Sequence, residues 1–306
     1  MLAPIVLFVY NRPYHARRTL ESLMANNFAD QSTLYIYADG AKEKASKEVL
    51  EKIKKTREVI REKQWCKEVH IVEREKNLGL ADSVIGGVSD IVNKYGKIIV
   101  LEDDFILSKN FLSFMNASLD RYENEERVMQ ISGYMFPIDF SRIKMSVDAF
   151  FLPFTSSWGW ATWKRSWDLF DPEMRGLEIL KNNNNLREKF DLKNSYPYYR
   201  MLLNQKKGEI SSWAIRFYLS VFLKKGLVLF PKKTLVLNEG FDGSGVHCVT
   251  EIKQKKIDNN FSVNKFCDVV EFPDAVREVF HFLKSQNSII KRLPNPFNYL
   301  RRKLKI

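Results

Sequence analysis

The chain has 306 residues, 45% of them hydrophobic and 13% aromatic, which is enough for a sizeable core. Its net charge is +12, but seven basic residues and no acid lie between Lys284 and Ile306, so the body carries about +5 and the charge does not describe a nucleic-acid groove. Three cysteines (Cys66, Cys248, Cys267) without a Cys-x-x-Cys spacing argue against a zinc site or a disulfide scaffold, and the apolar start is stopped by Asn11-Arg12-Pro13 too early for a signal peptide to be expected. No stretch is long and apolar enough to span a membrane, so the expectation is a soluble cytoplasmic protein.

Ile5–Tyr10 reads as a first strand and Asn11-Arg12-Pro13 as a turn into a helix over Tyr14–Asn26. Thr33–Ala38 is a second strand, ended by Asp39-Gly40. Ala45–Gln64 is a charged helix with Glu48–Lys52, Glu51–Lys55 and Lys54–Glu58 at i,i+4 spacing. Glu68–Glu73, a turn at Asn77-Leu78-Gly79-Leu80, a helix over Ala81–Lys94, a strand at Lys97–Leu101 and a helix at Lys109–Tyr122 follow. This alternation predicts right-handed crossovers and a mostly parallel sheet. Ligands bind beyond the carboxyl ends of such strands. Three polar clusters fall there: Tyr10-Asn11-Arg12, Ala38-Asp39-Gly40 and Glu102-Asp103-Asp104.

The alternation stops near Val128. Val128–Ser132, Phe150–Pro153, Leu227–Pro231 and Thr234–Leu237 resemble strands, and Trp213–Lys224 a helix. Ser156–Trp167 holds four tryptophans, of which Trp163 and Trp167 are expected in the core. A glycine-rich stretch, Gly240–Gly245, runs into His247. No Gly-x-Gly-x-x-Gly follows the first strand and no Gly-Lys-Ser/Thr loop is present, which argues against dinucleotide dehydrogenases and P-loop enzymes. The expected organisation is a βαβ half over residues 1–127, a second half over 128–250 packed on it, and a C-terminal extension over 251–306.

Three carboxylates at a parallel strand's end suit Mg²⁺ or Mn²⁺, and His247 as a further ligand would favour Mn²⁺. Taken alone, Glu102-Asp103-Asp104 is equally a solvated acidic turn, Asp39-Gly40 a plain turn, and His247 an ordinary loop histidine. Ser156-Ser157-Trp158-Gly159-Trp160 combines small residues with rings on which a sugar face stacks.

As an ordered set, Pro4–Arg12, Tyr37–Gly40, Asn77–Ala81, Val100–Asp104, Trp158–Trp160 and Asn238–His247 resemble the GT-A fold glycosyltransferases. The likeness is to bacterial family 2 sugar transferases and the N-acetylglucosaminyltransferase I group. The resemblance implies a Rossmann-like α/β fold, a nucleotide-diphosphate sugar donor, commonly a UDP-sugar, and Mn²⁺ or Mg²⁺. It implies Asp104 and His247 as metal ligands and Glu102 and Asp103 as contacts to ribose or donor sugar. Tyr10, Arg12, Asp39 and Asn77 fall at nucleotide and donor positions, and Trp158, Gly159 and Trp160 at a loop by donor sugar and acceptor. Inverting relatives carry a carboxylate base just before the position of Trp213. Here Ser211-Ser212 stands there, and serine is far too weak an acid for that work. Glu209 is the nearest carboxylate, with Asp171 and Asp242 as alternates.

The expected activity is inverting transfer to a hydroxyl of a glycan or lipid-linked oligosaccharide in surface polysaccharide synthesis. The alternatives are a non-catalytic nucleotide-sugar or glycan-binding protein, or a sugar nucleotidyltransferase. The basic, partly amphipathic tail reads either as a peripheral anchor on an anionic inner membrane face or as a solvated end.

Overall fold

The fold is described from a computed structural model, which describes residues 1–241 and 256–291. In chain order the elements are β1 (Ile5–Val9), α1 (Pro13–Met24), β2 (Thr33–Ala38), α2 (Lys47–Val59), β3 (Glu68–Glu73), α3 (Leu80–Tyr95), β4 (Lys97–Glu102), β5 (Phe105–Leu107) and α4 (Phe111–Arg121). The second half continues with β6 (Val128–Ser132), β7 (Ala149–Leu152), β8 (Trp160–Trp163), α5 (Lys164–Trp167), α6 (Leu177–Lys181), α7 (Asn184–Phe190), α8 (Tyr198–Lys206), α9 (Trp213–Leu223), β9 (Leu227–Pro231), β10 (Val236–Asn238) and α10 (Pro273–Lys291).

Eight strands form one sheet in the order β3-β2-β1-β4-β8-β6-β9-β7. The first four are parallel neighbours, as the alternation predicts. β8 enters antiparallel between β4 and β6, and β7 closes the far edge antiparallel to β9. The sheet is therefore mixed, and mostly parallel. Sequence patterning explains why helices cover both faces. Ile5, Leu7 and Val9 of β1 point into a core shared with α1 and α4, whereas Val6 and Phe8 point into one shared with α3 and α9. Ile99 and Leu101 of β4 join the first core, and Ile98 and Val100 the second. Such a strand is buried on both sides, which is why it reads as an unbroken apolar run. A third core lies in the second half, between β7, β9 and helices α6 to α10.

Helix α2 ends earlier than its charge pattern implies. Its three i,i+4 ion pairs are present, but Ile60 turns the chain and its carbonyl accepts the indole N–H of buried Trp65 at 3.0 Å. Two short strands carry no period of their own. β5 pairs with β10 in a separate two-stranded ribbon, Asn238 opposite Phe105. That ribbon folds the late part of the chain back onto the exit of β4. Residues 256–271 return along the molecule: Asn110 Nδ2 donates to the Phe261 carbonyl at 3.0 Å and the Tyr122 hydroxyl to the Cys267 carbonyl at 2.9 Å. Among the described residues no helix is long and apolar enough to cross a membrane.

Candidate active site

The acidic turn sits where β4 leaves the sheet. Helix α1 fixes its backbone, because the Thr19 hydroxyl donates to the Asp103 carbonyl (2.9 Å) and accepts the Phe105 amide (3.1 Å). The Ser22 hydroxyl accepts the Leu107 amide at 3.1 Å. Asp103 and Asp104 are buried, and both are held by one guanidinium. Arg12 Nη1 lies 3.0 Å from Asp104 Oδ2, and Nη2 pairs with Asp103 Oδ1. Arg12 thus bridges both aspartates. Burial, with repulsion from Asp104 and Asp103, pushes the Glu102 carboxyl up to about 8. Burial also raises Asp104, against the pull of Arg12. Burial works against charge on Arg12, but Asp103 and Asp104 outweigh it and hold the guanidinium firmly protonated.

The β5–β10 ribbon brings a cover to this turn. The Glu239 amide donates to the Asp104 carbonyl at 2.8 Å, and the Gly240 amide to Asn238 Oδ1 at 2.8 Å. A Cβ on Gly240 would stand 2.3 Å from Asp104 Oδ2 and 3.1 Å from Arg12 Nη1, so any side chain there would displace the Asp104 carboxylate. Arg18 pairs with Glu239 at 2.6 Å and ties the cover to α1.

The residues present were tested against a divalent cation. Asp104 Oδ1 is buried and has no hydrogen-bond partner. With both aspartates ionised, Arg12 leaves one negative charge unbalanced. Both facts fit a hard dication that takes carboxylate oxygen and keeps open positions for other ligands. Among the described residues no group of three Asp, Glu, His or Cys side chains is arranged to hold a metal, so Asp104 meets the requirement only in part. His247 and Asp242 lie outside the described residues.

A second cluster forms at the ends of β2 and β3. Buried Asp39 accepts from the amides of Gly40 (3.0 Å), Leu78 (3.0 Å) and Gly79 (3.1 Å), and from Asn77 Nδ2 (2.9 Å). Asn77 Nδ2 also donates to the Gly40 carbonyl. A carboxylate has about four lone-pair positions, so protein donors fill those of Asp39. Its role in this arrangement is to shape the loop that opens α3, a correction to the reading in which it receives a base N–H. Gly40 has a backbone reason: its Cβ would stand 2.6 Å from the carbonyl carbon of Glu75. Burial raises the Tyr10 hydroxyl, the Lys42 amide donates to it, and Asp39 lies close enough to repel its ionised form. The Tyr10-Asn11-Arg12 segment therefore links both clusters.

The tryptophan stretch divides. Trp158 is half-buried and packs edge-on against Tyr134 (4.4 Å between ring centroids) and Phe241 (5.5 Å), beside the cover. Gly159 is buried and its carbonyl accepts the Gly133 amide at 2.6 Å. Trp160 corrects the expectation of a ligand contact. It has no exposed surface and stacks on Trp213 at 4.8 Å, with Trp167 at 5.9 Å, inside the core of β8 and α9. Trp163 and Trp167 are core residues as expected.

Ser212, where the catalytic carboxylate was sought, caps α9: its hydroxyl accepts the Ile215 amide at 3.4 Å. Glu209 is exposed in the turn after α8, its amide donating to the Asn204 carbonyl at 2.9 Å. Among the described residues no hydrogen bond or ion pair joins it to the acidic turn. The Asp171 carboxylate accepts the amides of Glu173 (3.2 Å) and Arg175 (2.7 Å) and so closes its own turn. Thr19, Ser22 and Arg18 support the site without any sequence signal that marks them. Asn238 and Gly240 carry a signal, since they open the glycine-rich stretch.

The strand order and the polar strand ends define a class of protein, the mixed α/β GT-A fold. Residues 5–140 match the family model described as Glycosyl transferase family 2. Similar solved structures include an S. aureus TarS fragment, residues 1–349, at 13% identity and a TM-score of 0.43, covering 77% of this chain and 60% of that one. GalNAc-T7 with UDP, GalNAc and Mn²⁺ aligns at 12% identity and a TM-score of 0.44, covering 76% and 42%. Mouse xyloside xylosyltransferase 1 in its apo form aligns at 11% and 0.38, covering 74% and 82%. No curated protein matches the sequence significantly.

Proposed function

We propose that the chain is a metal-dependent, inverting glycosyltransferase, related within the fold to the N-acetylglucosaminyltransferase I group. It moves a sugar from a nucleotide-diphosphate donor, with UDP-sugars first, to a hydroxyl of a glycan or lipid-linked oligosaccharide. One observation carries this reading: an acidic turn with two buried aspartates, one of whose oxygens has no partner, at the carboxyl end of a parallel strand within the residues that match the glycosyltransferase family 2 model.

Asp104 would hold Mn²⁺ or Mg²⁺, with His247 as a candidate second ligand in the segment beyond the described residues. The ion would supply charge neutralisation for the departing diphosphate. The chain's own residues do the rest. Glu102, Asp103 and Asp104 form a DxD-type motif. Glu102 contacts a ribose or sugar hydroxyl. Tyr10 and Arg12 meet the base and phosphates, and Asp39 with Asn77 sets the loop against which the base lies. Trp158 offers a ring edge and face to the sugar, and Gly159 sets its turn. Glu209 takes the acceptor proton as its oxygen attacks the anomeric carbon in line with the leaving diphosphate.

The test is transfer from a panel of nucleotide sugars with Mn²⁺ present. Glu209→Gln is expected to lower kcat by about 10²–10⁴-fold with little change in donor KM. An unchanged kcat removes Glu209 as the base. A second reading, binding without catalysis, is favoured by Ser212, whose hydroxyl is committed to capping α9. Donor binding with no turnover across the panel would select it. The basic tail is proposed as an anchor at the inner membrane face in polysaccharide synthesis, and co-sedimentation with anionic but not neutral vesicles checks it.

A further inference from the structure

We infer that Arg12 is a tethered cation that holds the acidic turn together in the absence of a divalent ion and competes with that ion for the same carboxylates. The inference rests on the metal-dependent reading above and adds to it a residue that sets the metal affinity.

Asp103 and Asp104 belong to a turn fixed by Thr19 on one side and covered by the Glu239 amide on the other. Their side chains retain only 6% and 10% of their exposure. Two ionised carboxylates placed so closely repel, and something must bridge them. Here a planar guanidinium does, with one nitrogen on each aspartate. A guanidinium fork suits this better than a lysine ammonium, which is a point charge. Arg12 differs from its partners in access: its side chain keeps 20% of its exposure and stands at the mouth of the turn, directly before Pro13 at the start of α1. The carboxylates are fixed, and the cation between them is the part free to leave.

Its position also obstructs a metal. Nη1 takes Asp104 Oδ2, the same oxygen that Gly240 crowds, and leaves Oδ1 buried without a partner. An ion drawn to Asp104 meets a positive charge 3.0 Å from the carboxylate it needs. Two cations at one carboxylate repel, so the guanidinium gives way as the ion enters. Once displaced, its fork lies at the site's mouth, suited to phosphate oxygens of a donor. The exchange makes no covalent change and conserves charge at the turn to within one unit.

The experiment is Mn²⁺ binding to the donor-free protein, followed by the loss of the free-ion electron paramagnetic resonance signal. It compares wild type, Arg12→Gln, Arg12→Lys and Asp104→Asn, with far-ultraviolet circular dichroism to establish folding. Removing the competing charge is expected to tighten Mn²⁺ binding by about ten-fold in Arg12→Gln. Arg12→Lys keeps the charge but cannot bridge both aspartates, and is expected between the two; it carries the test if Arg12→Gln does not fold. Asp104→Asn is expected to lose binding. Equal or weaker Mn²⁺ binding in the folded Arg12 variants overturns the inference and leaves the metal reading standing. No Mn²⁺ binding by wild type or by any variant overturns both.

Discussion

The two halves of the central sheet use the same kinds of residue for different ends. On the β3-β2-β1-β4 side every strand runs the same way, and every strand exit delivers polar groups to one edge: Tyr10 and Arg12, Asp39, then Glu102 to Asp104. On the β8-β6-β9-β7 side the strands are mixed, and the conspicuous residues face inward, with Trp160, Trp167 and Trp213 stacked under α9. A parallel array concentrates chemistry at one edge, whereas a mixed array puts its aromatic mass into holding the scaffold. Trp158, beside the cover, is where the second half reaches the site.

Trp160→Ala gives the largest expected effect on this contrast. Removing a fully buried indole is expected to destabilise the fold by about 3–5 kcal/mol in urea unfolding. Trp158→Ala is expected to cost under about 2 kcal/mol while raising the KM for sugar substrates. Equal stability losses would erase the distinction between a core ring and a site ring.

Gly40→Ala probes the parallel half. A Cβ 2.6 Å from the Glu75 carbonyl carbon has only backbone to push, so the loop that Asp39 gathers must shift. The expected cost is about 1–3 kcal/mol, with weaker nucleotide binding by calorimetry. A stability loss with unchanged affinity would separate that loop from the donor site.

Taken per pH unit, the smallest effect is a pH dependence. A carboxyl raised to about 8 from an ordinary value of 4.5 binds a proton in the folded state that the unfolded chain has released. Stability therefore falls as pH rises from about 4.5 to 8, with a slope of up to about 1.4 kcal/mol per pH unit. Glu102→Gln removes this component. Its metal-free stability relative to wild type is expected to improve steadily between pH 5 and 8, read from urea midpoints, and then level off. A constant difference across that range would mean that Glu102 titrates normally.

The parallel half was legible because β1, β2 and β4 are buried on both faces and its strands are separated by amphipathic helices, so hydrophobic run length and helical period changed together. Its candidate site was legible as far as strand exits announce themselves, which picked out the cluster that Arg12 forms with Asp103 and Asp104. What those groups do to each other was not legible. Asp39 and Asn77 look like ligand contacts in sequence, but in space they satisfy one another and the amides around them. Hidden in both halves were β5 and β8, which are three and four residues long and owe their strand form to partners far along the chain. Trp160 was misplaced for that reason: β8 hydrogen-bonds between β4 and β6, which turns a ring from an apparent loop into the core. Thr19 gave no signal, because a threonine within a helix becomes informative only once the turn it binds is known.

The central claim is that the acidic turn at the end of β4 is a cation-dependent nucleotide-sugar site. Thermal unfolding of wild type and Asp104→Asn, with Mn²⁺ alone, UDP-sugars alone and both together, tests it most directly. A ligand that binds only the folded state at 100 times its Kd adds about 2.7 kcal/mol, enough to move Tm by several degrees. The account predicts a large shift for at least one UDP-sugar with Mn²⁺ in wild type, little with either alone, and none in Asp104→Asn. A shift of equal size without metal, or one that survives Asp104→Asn, would contradict it.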